Sequence, residues 1–354
     1  MRRLSLILVS MLLSLTTITA QEPIKNIIFL IGDGMGLASA TMMQVEKGYN
    51  ETIFDRAENI ALQKTYSADN RVTDSAASGT ALATGYKTNN TYLGVTPDGT
   101  AVESLMEVAQ SKGMATGVVV TTYLQHATPA AFYAHIPSRH DYLAITEQLL
   151  ASSLDVAIGG GKAFFAELYG EKLDKRVKQH GYTLAESLDD ISKIDANQRV
   201  MALVADKEVE ERKSYLAAAT REALRLLEDN DNGFVLMVEG SLIDGMGHAN
   251  DAIAQQGEMR DFMEAMEVAV EYANNTPGTL VVVTGDHETG GLSIVSCDAD
   301  FCLSEQGVEY RWTTGGHSGT MLPIYLYGCG AEQINGIMEN SELGAKLKGL
   351  LSLR

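Results

Sequence analysis

Short apolar runs rich in Ile and Val recur along the chain: NIIFLIG, ATGVVVTT, DVAIGG, RVMALVA, GFVLMVEG, TLVVVTGD and LPIYLYG. Most carry apolar residues at odd and even positions alike, which leaves no face for water and predicts strands covered on both sides. Between most of them lie helical patterns, among them SYLAAATREALRLLEDN and DAIAQQGEMRDFMEAMEVAVEYANN. Strands that alternate with helices predict an α/β fold, a three-layer sandwich around a mainly parallel central sheet. No repeat, low-complexity tract or Pro-rich linker divides residues 21–354, so they read as a single domain.

Composition adds limits to this picture. The chain has 354 residues, of which 45% are hydrophobic and 21% charged, enough for a large core. Its formal net charge of -19 opposes binding to a phosphate backbone, which sets nucleic acid aside as a partner. Residues 1–20, MRRLSLILVSMLLSLTTITA, pair two arginines with an apolar run and end in small residues. That layout predicts a signal peptide cleaved after Ala20, an exported periplasmic or extracellular protein, and no membrane span in the mature chain. Export permits a disulfide: Cys297 and Cys302 would close a short loop, with Cys329 left in a strand-like stretch.

In open α/β sheets, ligands gather beyond the carboxyl ends of the strands. The chemically capable residues of this chain fall there. Asp33 follows NIIFLIG, Glu239 ends GFVLMV, Asp286 and His287 follow TLVVVTG, and His126 and Thr128 come shortly after GVVVTT. GDGMG looks like a dinucleotide loop, but Leu37 occupies the position where the last glycine of that motif belongs. In EGSLIDGMGHAND, Asp244 and His248 share a face if the segment is helical, although Gly245 and Gly247 favour a loop that enters a helix. Asp286 and His287 can act together only if their strand has ended, which the flanking glycines permit. His317 sits in the glycine-rich TTGGHSG. In RVTDSAASGTALATG, Asp74 and Ser75 are ordinary helix caps when taken alone. Carboxylates and imidazoles delivered by four strands to one edge point to two or more metal ions, zinc for mixed His and carboxylate sets and magnesium for oxygen sets.

These motifs, together with TDSAASGTALATGYKT, ATPAAFYAHIPSR, DVAIGGGKAFF and GGHSG, run in order from Asn26 to Gly319 and resemble the alkaline phosphatase family. The resemblance implies hydrolysis of small phosphate monoesters, with inorganic phosphate as product and a phosphoserine formed on Ser75. It implies one zinc on Asp244, His248 and His317, and a second on Asp33, Asp286 and His287 with Ser75 completing its shell. A third metal, usually magnesium, falls to Asp33, Thr128 and Glu239, and Arg139 becomes the phosphate clamp. A homodimer is also implied, with only a short surface insertion around residues 290–316 where longer relatives build a subdomain. The chain departs from many bacterial members at two positions. His126 stands where they carry Asp, which suits zinc better than magnesium at the third site. Gly245 stands where relatives often carry Lys or Trp near the phosphate.

Related hydrolases fit less well. A sulfatase needs C/S-x-P-x-R, but Ser75 is followed by Ala-Ala-Ser. A phosphodiesterase of the same superfamily usually has Thr as nucleophile and no equivalent of Arg139. A Ser-His-Asp esterase wants G-x-S-x-G, which no serine here satisfies. A periplasmic metal- or phosphate-binding protein explains the ligands but not a converging Ser and Arg.

Overall fold

The computed structural model describes residues 23–196, 198–210, 213–297 and 307–352. The expected signal peptide and Cys302, and with it the Cys297–Cys302 bridge, lie outside the described residues. The apolar runs become β1 (Asn26–Gly32), β3 (Ala115–Tyr123), β4 (Val156–Gly160), β6 (Arg199–Leu203), β7 (Phe234–Gly240), β8 (Thr279–Gly285) and β13 (Leu322–Gly328). Three further strands complete a ten-stranded sheet: β2 (Asn59–Lys64), β5 (Tyr182–Ala185) and β14 (Gly336–Glu339). The order is β14-β2-β13-β8-β1-β7-β3-β4-β6-β5, and only β13 runs against its neighbours.

Both faces of the sheet are covered, as the continuous apolar runs require. In β1, Ile27, Phe29 and Ile31 face one core and Ile28 and Leu30 the other, and all five are fully buried. Each such side chain contributes roughly 1.5–3 kcal/mol by leaving water. The first core is closed by helices at 105–111, 127–130 and 340–352, the second by the long helices Tyr215–Leu227 and Ala252–Asn275. Near residues 290–316 the chain leaves the sheet as a hairpin of β10 (Ser293–Ser296) and β11 (Val308–Arg311), paired in register Ser293 to Arg311. It returns through β12 (His317–Ser318), which pairs with β9 (Glu288–Thr289). Among the described residues, no helix is long and apolar enough to cross a membrane.

Candidate active site

Strand register brings the acidic residues together. Gly32 at the end of β1 lies beside Gly240 of β7 and Gly285 of β8, so the residues after these glycines leave the sheet at one level. Asp33 and Asp286 emerge there side by side, and Glu239 sits one position earlier, opposite Ile31. Thr128 reaches in from the short helix after β3, its Oγ1 donating to Asp33 Oδ2 at 3.3 Å. Asp33, Glu239, Asp286, His287 and Thr128 are all fully buried.

Ser75 is the first residue of the helix Ser75–Thr84, and Asp74 is its cap, accepting from the Ala77 amide at 2.9 Å. All ten residues of this helix are buried, so its run of Ser, Ala, Gly and Thr is a packing requirement. Ser78 fixes it to the acidic cluster by donating to the Asp286 carbonyl at 2.6 Å. Ser75 Oγ then lies 3.1 Å from His287 Nε2.

The segment carrying Asp244 and His248 is a helix, Leu242–His248, and not the loop its glycines suggest. Tertiary packing outweighs the poor helix propensity of glycine here. Asp244 and His248 consequently share a face one turn apart, with His248 Nε2 3.3 Å from Asp244 Oδ2. His317 comes from β12, with Nε2 3.6 Å from Asp244 Oδ1 and 3.2 Å from His248 Nε2. Both rings have Nδ1 beside a backbone carbonyl, His248 beside Gly315 at 2.7 Å and His317 beside Thr73 at 2.9 Å. A carbonyl only accepts, so each Nδ1 carries a proton and each Nε2 is turned toward Asp244, the arrangement typical of histidines that bind metal. His317 stacks on His287 with ring centroids 3.6 Å apart, which joins this group to Ser75.

The electrostatics mark a place for cations. Asp33 Oδ1, Asp286 Oδ2 and both Glu239 carboxylate oxygens are buried and accept no hydrogen bond. Burial, reinforced by the neighbouring carboxylates, pushes Asp33 well up, Glu239 to about 8 and Asp286 to about 7. Buried carboxylate oxygens without donors are costly unless a positive charge fills the space between them. Burial would also raise Asp244, but the hydrogen bonds from His248 and Thr289 hold it below the ordinary carboxylate range. The bond to Asp244 in turn raises His248 to about 9. Ligand atoms of Asp33, Asp286 and His287, of Asp244, His287 and His317, and of Asp33, His126 and Glu239 each fall within 4.8 Å of one another.

Comparison with known proteins decides what this cluster belongs to. A family profile described as Alkaline phosphatase matches residues 24–306. Alkaline phosphatase 3 of Bacillus subtilis is 32% identical, over 91% of this chain and 88% of its own length. The alkaline phosphatase of Escherichia coli is 32% identical, over 95% of this chain and 88% of its own. The solved alkaline phosphatase of the Antarctic bacterium TAB5 superposes with a TM-score of 0.88 at 36% identity, covering 94% of this chain and 99% of that one.

The chain belongs to the alkaline phosphatase family. It is therefore a metal-dependent phosphomonoester hydrolase on an α/β sandwich. All ten residues singled out as metal ligands from the sequence fall in the one region at the carboxyl ends of β1, β3, β7 and β8, Ser75 among them. His126 stands at its margin, Nδ1 3.8 Å from Asp33 Oδ2, and burial with the Arg139 charge lowers its pKa to about 3. Arg139 is near it, with NH2 3.2 Å from His126 Nε2 and NH1 3.1 Å from Asp74 Oδ2. Two residues of this alkaline phosphatase site were not legible as such. Asp74 has a second task beyond its cap: it anchors Arg139 from a position 65 residues away. Thr289 touches both Asp244 and His287, and in TGDHETGG nothing sets it apart from a turn residue.

Proposed function

We propose that the chain hydrolyses phosphate monoesters by two displacements at phosphorus, with Ser75 as nucleophile. The observation that carries this reading is the position of Ser75 Oγ, at a helix N-terminus and 3.1 Å from His287 Nε2, the same nitrogen that lies 3.3 Å and 3.4 Å from unpartnered oxygens of Asp286 and Asp33. Asp244, His248 and His317 would hold one zinc, and Asp33, Asp286 and His287 a second, with Ser75 beside it. Asp33, Thr128 and Glu239 would hold a third ion, with His126 at its margin. In a histidine-to-aspartate variant of the TAB5 enzyme, magnesium is bound in the site named M3. His126 offers imidazole in this chain, which favours zinc over magnesium if it takes part. When bound, the metals supply Lewis-acid charge that favours ionised oxygen nucleophiles near neutral pH and steadies the departing oxygen.

Ser75 Oγ attacks phosphorus in line, the Oγ–P bond forms, the ester P–O bond breaks and the alcohol leaves. The amides at the start of its helix add positive potential at the transferring group. Arg139 grips phosphate oxygens with its planar fork, held in place by Asp74. Water then attacks phosphorus, the Oγ–P bond breaks, and phosphate leaves with Ser75 restored. Two in-line displacements give retention of configuration. With the short hairpin of β10 and β11 in place of a larger insertion, little surface remains to select a leaving group, so broad specificity follows. The same reading includes export directed by residues 1–20, a single catalytic domain over 21–354, and a homodimer.

The test is hydrolysis of a chromogenic phosphomonoester before and after chelation, with a phosphodiester and a sulfate ester in parallel. Monoester activity that disappears with chelator and returns with zinc is the expected result. Preference for the diester or the sulfate would overturn the reading.

A further inference from the structure

Thr289 belongs to none of the ligand sets above, yet the segments that carry them meet at it. It lies two residues after His287, is buried, and pairs in register with His317. Its amide donates at 3.2 Å to the carbonyl of Gly34, in the loop that follows Asp33. Its hydroxyl lies 2.5 Å from Asp244 Oδ1 and 3.1 Å from His287 Nδ1. Two glycines make room for this side chain. A Cβ at Gly247 would come within 3.1 Å of the Thr289 Cβ and methyl. One at Gly34, where φ is +74°, would fall 2.9 Å from its hydroxyl and 2.6 Å from Asp244 Cα. Gly34 of GDGMG and Gly247 of DGMGH thereby acquire a reason that strand-end chemistry alone does not give them.

A hydroxyl has one proton to give, and the Thr289 hydroxyl gives it to the carboxylate oxygen of Asp244. It therefore accepts from His287 Nδ1. The His287 ring proton is then fixed on Nδ1, and the Nε2 lone pair faces Ser75 Oγ at 3.1 Å, Asp286 Oδ2 at 3.3 Å and Asp33 Oδ1 at 3.4 Å. We infer that Thr289 is a positioning residue that couples two metal positions: one hydroxyl orients Asp244 for the first and sets the tautomer of His287 for the second. This rests on the ligand sets proposed above. Loss of a residue that orients metal ligands typically costs about 10–100-fold in metal affinity. Removal of the hydroxyl should impose that cost at both positions, whereas removal of the methyl should only loosen the packing against Gly247.

Two pairs of proteins isolate the hydroxyl: wild type against Thr289→Val, which keeps the branched shape, and Thr289→Ser against Thr289→Ala. Each purified protein is stripped of metal and titrated with zinc against a chromogenic chelator, and its metal-free melting temperature is recorded separately. Thr289→Ser is expected to bind zinc within about threefold of wild type, with Thr289→Val and Thr289→Ala about 10–100-fold weaker at two sites. Zinc affinity that follows the methyl, or that falls at one site only, overturns the inference. Should Thr289→Val fail to fold, the comparison of Ser with Ala still reads the hydroxyl alone. A wild-type protein that takes up no zinc would instead refute the ligand sets, so the two failures are distinguishable.

Discussion

Replacing Arg139 by alanine removes a cation that already has two commitments. One N–H of the guanidinium points to Asp74 Oδ2 at 3.1 Å and another to His126 Nε2 at 3.2 Å. A guanidinium has five N–H donors, so three remain, enough for a two-pronged grip on phosphate. Hydrogen bonds to charged partners are worth roughly 1.5–3 kcal/mol each in net terms. The Arg139 side chain is only 16% exposed, so screening by water takes little from that figure. Two bonds at the low end sum to about 3 kcal/mol, or roughly 10²-fold in affinity. Because the grip exists both before and during the displacement, Arg139→Ala should raise KM and the phosphate inhibition constant by that factor and lower kcat much less. Arg139→Lys keeps the charge without the fork and should fall between. The assay is competitive inhibition by phosphate with zinc content measured alongside. Arg139 is not among the proposed metal ligands, and its removal takes a positive charge away from sites that hold cations, so its loss is not expected to empty them. A phosphate inhibition constant within twofold of wild type, in a fully loaded Arg139→Ala protein, would refute this role.

Three other outcomes are expected. Ser75→Ala should lower kcat by at least ~10²-fold with metal content unchanged, because the serine is the nucleophile; turnover near wild type would count against it. Gly245→Lys has room, since nothing lies within 4 Å of an added Cβ, and should tighten phosphate inhibition and, where phosphate release limits turnover, lower kcat; no change in either would mean the side chain does not reach the phosphate. In the metal-free protein, Asp286 and Glu239 keep their protons to about 7 and about 8, whereas the unfolded chain releases them near 4. The unfolded state thus binds fewer protons across that window, and metal-free stability should fall from pH 5 to pH 8 and level off above. Thermal melts at several pH values check this, and zinc should abolish the decline.

Asp33 and Asp286 were legible in the sequence because each follows a fully apolar run through a glycine, and parallel register then places those glycines side by side. The alternation of strands and helices gave the layers for the same reason. The strands β2, β5 and β14 leave no fully apolar run in the sequence because they lie at or near the two edges of the sheet, where a strand is short or half exposed. In β2 only two of six residues are buried. The helix Leu242–His248 is not legible because its glycines argue locally for a loop, while contact with Thr289 at Gly247 is a tertiary fact. Asp74 and Thr289 were hidden for a related reason. Their partners Arg139 and Asp244 lie 65 and 45 residues away, and no local pattern reports such a contact. The role of Ser75 came from a family resemblance, since an Asp-Ser pair before small residues reads equally well as a cap.

The central claim is that phosphate passes through Ser75. The most direct measurement is to mix the zinc-loaded protein with a phosphate monoester, quench in acid during turnover, digest, and locate covalent phosphate by mass spectrometry. The account predicts phosphate on the peptide that contains Ser75, at the Ser75 hydroxyl, and its absence when chelator precedes substrate. Active enzyme with no phosphate at Ser75, and inversion of configuration at phosphorus in the product, would contradict it.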